Sequence, residues 1–266
     1  MTQAMKKNNT PIGIMDSGVG GLTVLKQMLK ICPNENYLYF GDTKNLPYGD
    51  KSKENLIKIV KKVFDFYQEK NVKAVVMACN TTSATAYDEL KNDYDFTIYP
   101  IIQVVSKILS QDASLNKIAV MATQATINSH KYKEEFKKNN PKIEIFEQAC
   151  PLWVPIVEHK LKNYDEKAIM NEYLKEVIAF NPDKIILGCT HYPYLLDKIG
   201  KYANKELFIN PSEIFANYIK NDLEKRNLLS TRVGTIEYYA SSNPEEFKEN
   251  AKMFLEIDTL PELVTI

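Results

Sequence analysis

The sequence lacks the features that mark several large classes of protein. Its 34 basic and 34 acidic side chains cancel, which argues against a nucleic-acid binder, because such proteins carry a strongly basic surface. No apolar run approaches the ~20 residues of a membrane helix, and the N-terminal segment MTQAMKKNNTPIGIMD contains no signal-peptide core. We therefore expect a cytoplasmic protein with no nucleic-acid partner and no membrane partner.

Cysteine and histidine are scarce as well. The four cysteines lie far apart and form no CxxC pair: Cys32, Cys79, Cys150 and Cys189. Without an export signal, such cysteines are typical of reduced cytosolic thiols. The three histidines and the scattered carboxylates lack the spacing of a metal site. We expect no disulfide and no bound metal.

What the chain does contain is a regular alternation of short apolar runs and amphipathic segments. Runs such as KAVVMAC, NKIAVMA and DKIILGC are typical of strands covered on both faces. Between two such runs, Leu56, Val60, Val63 and Tyr67 recur at helical spacing on one face. The alternation predicts an α/β fold with mainly parallel sheets. After residue 212 we expect a helix, a strand in GTIEYYASS and a final helix in PEEFKENAKMFLEI.

The chain also repeats itself. NVKAVVMACNT begins at Asn71 and NPDKIILGCTH begins at Asn181, and in each segment a helix ends at Asn and a cysteine follows eight residues later. The repeat predicts two similar α/β domains related by a pseudo-two-fold axis, with the active site in the cleft between them. The expected domains are residues 1–101 with 212–266, which carry Cys79, and residues 102–211, which carry Cys189.

Both repeated cysteines lie where a buried strand meets the next helix, which is where open α/β sheets bind ligands. A helix N-terminus lowers the pKa of a thiol from its usual ~8.5 and so makes a cysteine reactive. A lone cysteine is more often a small buried hydrophobe, and we assign that structural role to Cys32 and Cys150. Two thiols at equivalent strand ends favour acid–base work on both faces of one carbon atom, which inverts a stereocentre.

Five segments, in one order, resemble the glutamate racemases of the cofactor-independent aspartate/glutamate racemase superfamily: MDSGVGGLTVL, FGDTKNLPYGDKS, MACNTTSATA, CPLWVPIVE and LGCTHYPYL. The resemblance extends from about residue 11 to the C-terminal region. It implies racemisation of glutamate by two bases, without pyridoxal phosphate or any other cofactor, to supply D-glutamate for peptidoglycan synthesis.

The resemblance also implies the roles of individual residues. Cys79 would take the α-proton from the D-isomer and Cys189 from the L-isomer. Asp16 would assist the first thiol, and Glu158 and His191 the second. The implied substrate-binding residues are Asp16, Ser17, Tyr48, Gly49, Asn80, Thr81, Thr190 and His191. Glutamate is the expected partner, and a homodimer stays open because relatives are often dimers.

Several of these residues carry physical expectations of their own. Asp16 accepts a thiol proton or holds the substrate ammonium, or else it caps the helix that starts near Gly20. Partial burial is expected to raise the pKa of Glu158. His191 is expected to be a neutral imidazole that shuttles a proton, or else a surface histidine. Tyr48 either presents its hydroxyl group to the substrate or only covers the site.

Three other functions stay open on the sequence alone. A sister racemase would act on aspartate or another small amino acid. A hydrolase or transferase would use Cys189 as its nucleophile with His191 as the base, which leaves Cys79 without a role. A two-lobed binding protein would need neither thiol. Replacement of Cys79 by serine separates the racemase from the last two.

Overall fold

A computed structural model of the chain describes residues 8–266. Residues 1–7, which begin the segment in which we expect no signal peptide, lie outside them. The strands are β1 (Ile12–Asp16), β2 (Tyr37–Gly41), β3 (Ala74–Met77), β4 (Thr97–Pro100), β5 (Lys117–Ala122), β6 (Glu144–Ala149), β7 (Lys184–Gly188), β8 (Phe208–Ile209), β9 (Ile236–Ala240) and β10 (Glu262–Leu263).

Helices connect the strands. The α-helices are α1 (Leu22–Ile31), α2 (Lys53–Glu69), α3 (Asn80–Thr85), α4 (Tyr87–Leu90), α5 (Ile101–Leu109), α6 (Gln124–Asn128), α7 (Lys131–Asn139), α8 (Trp153–Val157), α9 (Glu166–Ala179), α10 (Leu196–Ile199), α11 (Pro211–Lys225) and α12 (Pro244–Ala251). Short 3₁₀ helices cover Thr43–Asn45, Tyr48–Asp50, Tyr192–Leu195 and Lys205–Leu207. Within residues 8–266, no helix is long and apolar enough to span a membrane.

The strands form two parallel sheets. The first has the order β10-β9-β2-β1-β3-β4, and the second has the order β6-β5-β7-β8. Every pair of neighbouring strands is parallel. The predicted α/β class with mainly parallel sheets is therefore confirmed. The order β6-β5-β7-β8 is also the order of β2-β1-β3-β4, the four strands that match it along the chain.

The described chain forms two compact units. One consists of the residues up to Ile101 together with Ser212–Ile266, and the other consists of Ile102–Pro211. The first unit contains the six-stranded sheet and the second contains the four-stranded sheet. The C-terminal segment reaches the first sheet through β9, which pairs with β2 along its whole length.

A shared helix stop explains the repeated asparagines. Asn71 and Asn181 follow α2 and α9, and both have left-handed backbone, with φ of 53° and 52°. Asparagine tolerates this conformation better than most residues, and it is common just after a helix end. The apolar face predicted for α2 is buried as expected. Val60, Val63 and Tyr67 belong to the main apolar cluster of the first unit, and Leu56 belongs to a smaller cluster that contains Cys79.

The C-terminal region differs from its prediction in two details. The final helix, α12, ends at Ala251, whereas the expected helix reached Ile257. Ile257 and Phe254 are buried beyond the helix end, so packing rather than helical periodicity fixes this segment. The two-residue strand β10 was not predicted, because an exposed pair of residues has no strand pattern of its own.

Candidate active site

In the first unit, three polar residues lie at the carboxyl ends of adjacent strands. Asp16 ends β1, Asp42 follows β2 and Cys79 follows β3. The Asp42 N–H donates to the Asp16 carbonyl at 3.1 Å, and the Ala78 N–H donates to the Met15 carbonyl at 3.0 Å, so the strand ends stay aligned. All three side chains are buried. Parallel strands bring their carboxyl ends to one edge, which is where such sheets bind ligands.

Cys79 occupies the N-cap position of α3, with extended backbone. Its carbonyl accepts hydrogen bonds from the Ser83 N–H and the Thr82 hydroxyl, both at 3.0 Å. The side chain packs with Tyr48 and Leu56 in a small apolar cluster. The predicted binding residues Asn80 and Thr81 form the first turn of α3 and are also buried.

Asp16 is held by the glycine-containing loop that follows it. Its Oδ2 accepts a hydrogen bond from the Gly18 N–H at 3.1 Å, and the Tyr39 hydroxyl donates to the Gly18 carbonyl at 2.8 Å. A Cβ atom on Gly21 would lie 2.5 Å from the Asp16 Cβ, so only glycine permits this approach of loop and carboxylate. Ser17, the next predicted binding residue, is half-buried.

Asp42 is a residue that the sequence analysis missed. Its carboxylate accepts hydrogen bonds from the Tyr48 hydroxyl at 2.6 Å and from the Ser241 hydroxyl at 2.5 Å, and Asn45 donates to both of its oxygens. Burial and the Asp42 charge raise the pKa of Tyr48 well above its usual value. The Tyr48 hydroxyl therefore keeps its proton and donates a hydrogen bond to Asp42. Gly49 is half-buried, and a Cβ atom added there would meet nothing within 4 Å.

In the second unit, the thiol lies in a chain of polar contacts. Cys189 directly follows β7, and it is buried together with Thr190 and His191. The Cys189 Sγ lies 3.9 Å from the His191 Nδ1, and the Thr190 Oγ1 lies 3.4 Å from the same nitrogen. Only 5% of His191 is exposed, so the interpretation of this residue as a surface histidine is wrong.

Glu158 connects His191 to a lysine. The Glu158 Oε1 lies 3.1 Å from the His191 Nε2, and its Oε2 lies 2.6 Å from the Lys160 Nζ. Burial raises the pKa of Glu158, but the hydrogen bonds and charges of His191 and Lys160 outweigh it and lower that pKa to about 2. The expected rise was therefore wrong, because it considered burial without the two cations.

The protonation expected for His191 is wrong for a related reason. Burial lowers the pKa of its imidazole, but contacts with the Cys189 sulfur and the Glu158 carboxylate outweigh burial and raise that pKa to about 10. His191 is thus an imidazolium at neutral pH, not a neutral imidazole. It presents a positive charge to the thiol on one side and pairs with a carboxylate on the other.

The remaining cysteines have the surroundings of structural residues. Burial raises the pKa of Cys32 to about 11, and burial together with Cys189 raises the pKa of Cys150 well above its usual value. Both therefore remain thiols at neutral pH. None of the four cysteines forms a disulfide. Within residues 8–266, no group of three or more His, Cys, Asp and Glu side chains is arranged to hold a metal ion.

The structure thus groups the predicted site residues into two sets. Asp16, Ser17, Tyr48, Gly49, Asn80 and Thr81 lie around Cys79 in the first unit, on the loops and helix that follow β1, β2 and β3. Glu158, Thr190 and His191 lie around Cys189 in the second unit. Asp42 had a signal in the sequence, because FGD places an aspartate directly after a buried strand, as MDSG does for Asp16.

Comparison with known proteins identifies the family and the fold of the chain. A family model described as Asp/Glu/Hydantoin racemase matches residues 12–219. The chain is 39% identical over 252 residues to glutamate racemase 2 of Caldanaerobacter subterraneus subsp. tengcongensis, a match that covers 93% of this chain and 94% of the relative. The fold of the chain is similar to that of a glutamate racemase from Francisella tularensis, which was solved in complex with D-glutamate. The TM-score is 0.88 at 33% identity, and the match covers 97% of this chain and 98% of that one. A glutamate racemase isoform from Bacillus anthracis has a TM-score of 0.89 at 26% identity, again over 97% and 98% of the two chains.

Proposed function

The chain belongs to the Asp/Glu/hydantoin racemase family, and from that premise we propose that it interconverts L- and D-glutamate by proton transfer between Cα and the thiols of Cys79 and Cys189. As a member of this family it is an amino-acid racemase that acts without pyridoxal phosphate. One observation carries the two-thiol mechanism. The two cysteines follow equivalent strands, β3 and β7, because four strands of the first sheet have the same order as the four strands of the second.

Each direction of the reaction uses one thiolate and one thiol. From D-glutamate, the Cys79 thiolate removes the α-proton, and the Cys189 thiol delivers a proton to the opposite face of Cα. From L-glutamate the two residues exchange these roles. The enzyme finishes each turnover with its two sulfur atoms in exchanged protonation states. The proposal requires that one substrate molecule meets both thiols.

The groups beside each thiol would support its proton transfer. Asp16, at the end of β1, accepts the proton of Cys79 or holds the substrate ammonium. His191 carries a positive charge, and its Nδ1 lies 3.9 Å from the Cys189 Sγ. Glu158 holds the imidazolium in place through its Nε2. In this proposal His191 acts through its positive charge and not as a neutral imidazole that shuttles a proton.

The carboxylates of glutamate need donors. The candidate hydrogen-bond donors are neutral groups that follow the carboxyl ends of strands in the two sheets: Ser17, the backbone N–H of Gly49, Asn80, Thr81 and Thr190. Because the Tyr48 hydroxyl donates to Asp42, the contribution of residues 48–49 to carboxylate binding is assigned to their backbone N–H groups. The carbanion formed at Cα has no cofactor as electron sink. Its stabilisation has to come from such fixed donors and from exclusion of water.

Glutamate is favoured over aspartate as the substrate because the relatives at 33% and 39% identity are glutamate racemases by name. The two acids differ by one methylene group, which a binding site discriminates by only about 1–3 kcal/mol. We further propose that the D-glutamate serves peptidoglycan synthesis, that the enzyme is cytoplasmic, and that glutamate rather than nucleic acid or a membrane is its partner. A homodimer is part of the same proposal.

The test is turnover in deuterium oxide without added cofactor. L-Glutamate and D-glutamate, each incubated with the purified chain, are expected to lose their circular dichroism signal and converge on the racemate. Deuterium should appear at Cα of the product enantiomer before it appears in the remaining substrate. Aspartate, assayed in parallel, should react more slowly. Absence of turnover with either acid would refute the racemase, and faster turnover of aspartate would refute the substrate assignment.

A further inference from the structure

Lys160 contacts the carboxylate beside the second thiol, and the proposed mechanism gives it no role. The Glu158 carboxylate is divided between two cations, with Oε2 2.6 Å from the Lys160 Nζ and Oε1 3.1 Å from the His191 Nε2. The terminal torsion of a glutamate side chain is broad, so its own rotamer preference does not fix the carboxylate plane. A charge-assisted contact on one oxygen therefore sets the direction in which the other oxygen points.

The backbone of Lys160 is held in place rather than carried on a free loop. Helix α8 ends at Val157, and His159 then adopts a left-handed conformation with φ of 56°. This turn lets the N–H groups of Lys160 and Leu161 both donate to the Pro155 carbonyl, at 2.9 and 3.2 Å. The turn returns Lys160 to the end of the helix that carries Glu158.

Lys160, Glu158, His191 and Cys189 contact one another in that order. The titratable groups that face Glu158 are His191 and Lys160, and those that face His191 are Cys189 and Glu158. The Lys160 side chain is 58% exposed, whereas 16% of the Glu158 side chain is exposed. An ion pair with so exposed a lysine contributes little to stability. Its effect is therefore expected on the position and ionisation of Glu158 rather than on folding.

We propose that Lys160 is a positioning residue of the racemase, which fixes the Glu158 carboxylate so that its Oε1 holds the His191 imidazolium against Cys189. This inference rests on the proposed function, since it concerns the thiol of the second unit. Lys160 acts through Glu158 and His191 and does not itself reach the substrate.

The test compares Lys160→Met, which removes the charge at similar length, with Lys160→Arg, which restores it. Lys162→Met is the matched control, because Lys162 is an exposed lysine of the same loop. We expect kcat/KM to fall roughly two- to fivefold in Lys160→Met, as for the loss of an exposed ion pair. Arginine should restore it, and the control should equal the wild type. Thermal melting should be unchanged in all three variants.

A pH profile separates positioning from a general loss of structure. In Lys160→Met, the fall of kcat/KM on the acid side should move to higher pH, because Glu158 loses one of its two cations, and Lys160→Arg should reverse that shift. In a Glu158→Gln background, Lys160→Met should have no further effect.

Equal profiles for wild type and Lys160→Met would overturn the inference, as would an undiminished effect of Lys160→Met in the Glu158→Gln background. A wild-type chain without racemase activity would instead refute the proposed function, and the two failures are therefore distinguishable.

Discussion

The two units of the chain place a cysteine at the same point of the same sheet topology. Met15 in β1 pairs with Met77 in β3, and Cys79 comes two residues later. Met121 in β5 pairs with Leu187 in β7, and Cys189 again comes two residues later. The strand register, and not only the order of motifs along the chain, makes the two thiols equivalent.

The charged residues beside the thiols are not equivalent. Asp16 follows Met15 in β1, whereas Ala122 follows Met121 in β5. The residue after β2 is Asp42, which accepts a hydrogen bond from the Tyr48 hydroxyl, and the residue after β6 is the buried Cys150. The second unit recruits its carboxylate from beyond α8 instead, through the contact of Glu158 with His191.

This difference separates what the fold fixes from what the reaction needs. The sheet fixes where a thiol lies, but its charged partner can come from the adjacent strand or from a distant helix end. L- and D-glutamate have equal free energies in water, so the equilibrium constant is one and kcat/KM has to be equal in the two directions. This equality holds whatever surrounds each thiol, so the proposed reaction does not require the two thiols to have matched surroundings.

The largest effect should come from loss of either thiol, despite the unequal surroundings. We expect Cys79→Ser and Cys189→Ser each to lower kcat/KM by at least about 100-fold for both enantiomers, since each turnover needs a base and an acid. Circular dichroism of each enantiomer measures the rate. Cys32→Ser is the control and should keep its activity, because Cys32 lies outside the site. Near-normal turnover in Cys79→Ser would refute the two-thiol mechanism.

The next largest effect should come from loss of the charged residue beside each thiol. It should distinguish proton transfer at Cys79 from proton transfer at Cys189. Asp16→Asn and His191→Asn should each lower kcat/KM by roughly ten- to a hundredfold, as for loss of a charged hydrogen-bond partner. In Asp16→Asn, the kinetic isotope effect with α-deuterated D-glutamate should rise and that with the L-isomer should fall, because proton transfer at Cys79 becomes more rate-limiting. His191→Asn should show the opposite pattern.

The control for this pair is Asp50→Asn, which changes an exposed aspartate in the same unit as Asp16. It should leave both isotope effects unchanged. If Asp16→Asn and His191→Asn altered the two isotope effects in the same way, the assignment of one partner to each thiol would be wrong.

Sequence reasoning reached the thiols but not all of their partners, for a physical reason. Continuous apolar runs identify buried parallel strands, and a residue directly after such a run lies at the end of the strand. For this reason Cys79, Cys189 and Asp16 could be placed correctly at the carboxyl ends of strands. The contact of Glu158 with His191 joins residues 33 positions apart, and no local pattern encodes it. The pKa direction of Glu158 was wrong for the same reason, because burial can be read from apolar neighbours whereas its cationic partners cannot.

A smaller effect, on the free energy of unfolding, should distinguish Gly21 from Gly49 in the first unit. In Gly21→Ala, the new Cβ would lie 2.5 Å from the Asp16 Cβ and 2.9 Å from the Tyr39 hydroxyl oxygen. Such overpacking typically costs about 1–3 kcal/mol, and it displaces Asp16. Gly49→Ala meets nothing within 4 Å and should keep the wild-type free energy of unfolding. Urea denaturation measures both, and equal stability of the two variants would mean that the loop does not constrain Asp16.

The smallest effect is a pH dependence of stability that the Glu158–His191 pair of the second unit supplies. The pKa of Glu158 is lowered to about 2, so its contribution to stability is present above the usual carboxylate pKa of 4.5 and is lost as the pH falls from 4.5 towards 2. The pKa of His191 is raised to about 10, so its contribution is complete below 6.5 and is lost as the pH rises from 6.5 towards 10. The contact between Glu158 and His191 contributes to both shifts, and we expect it to stabilise the fold by on the order of 1 kcal/mol, because Glu158 keeps partial contact with solvent. Urea denaturation of the wild type at pH 5, 7 and 9 should therefore show a decline above pH 7 that Glu158→Gln reduces. A decline of the same size in Glu158→Gln would show that it originates outside the contact between Glu158 and His191.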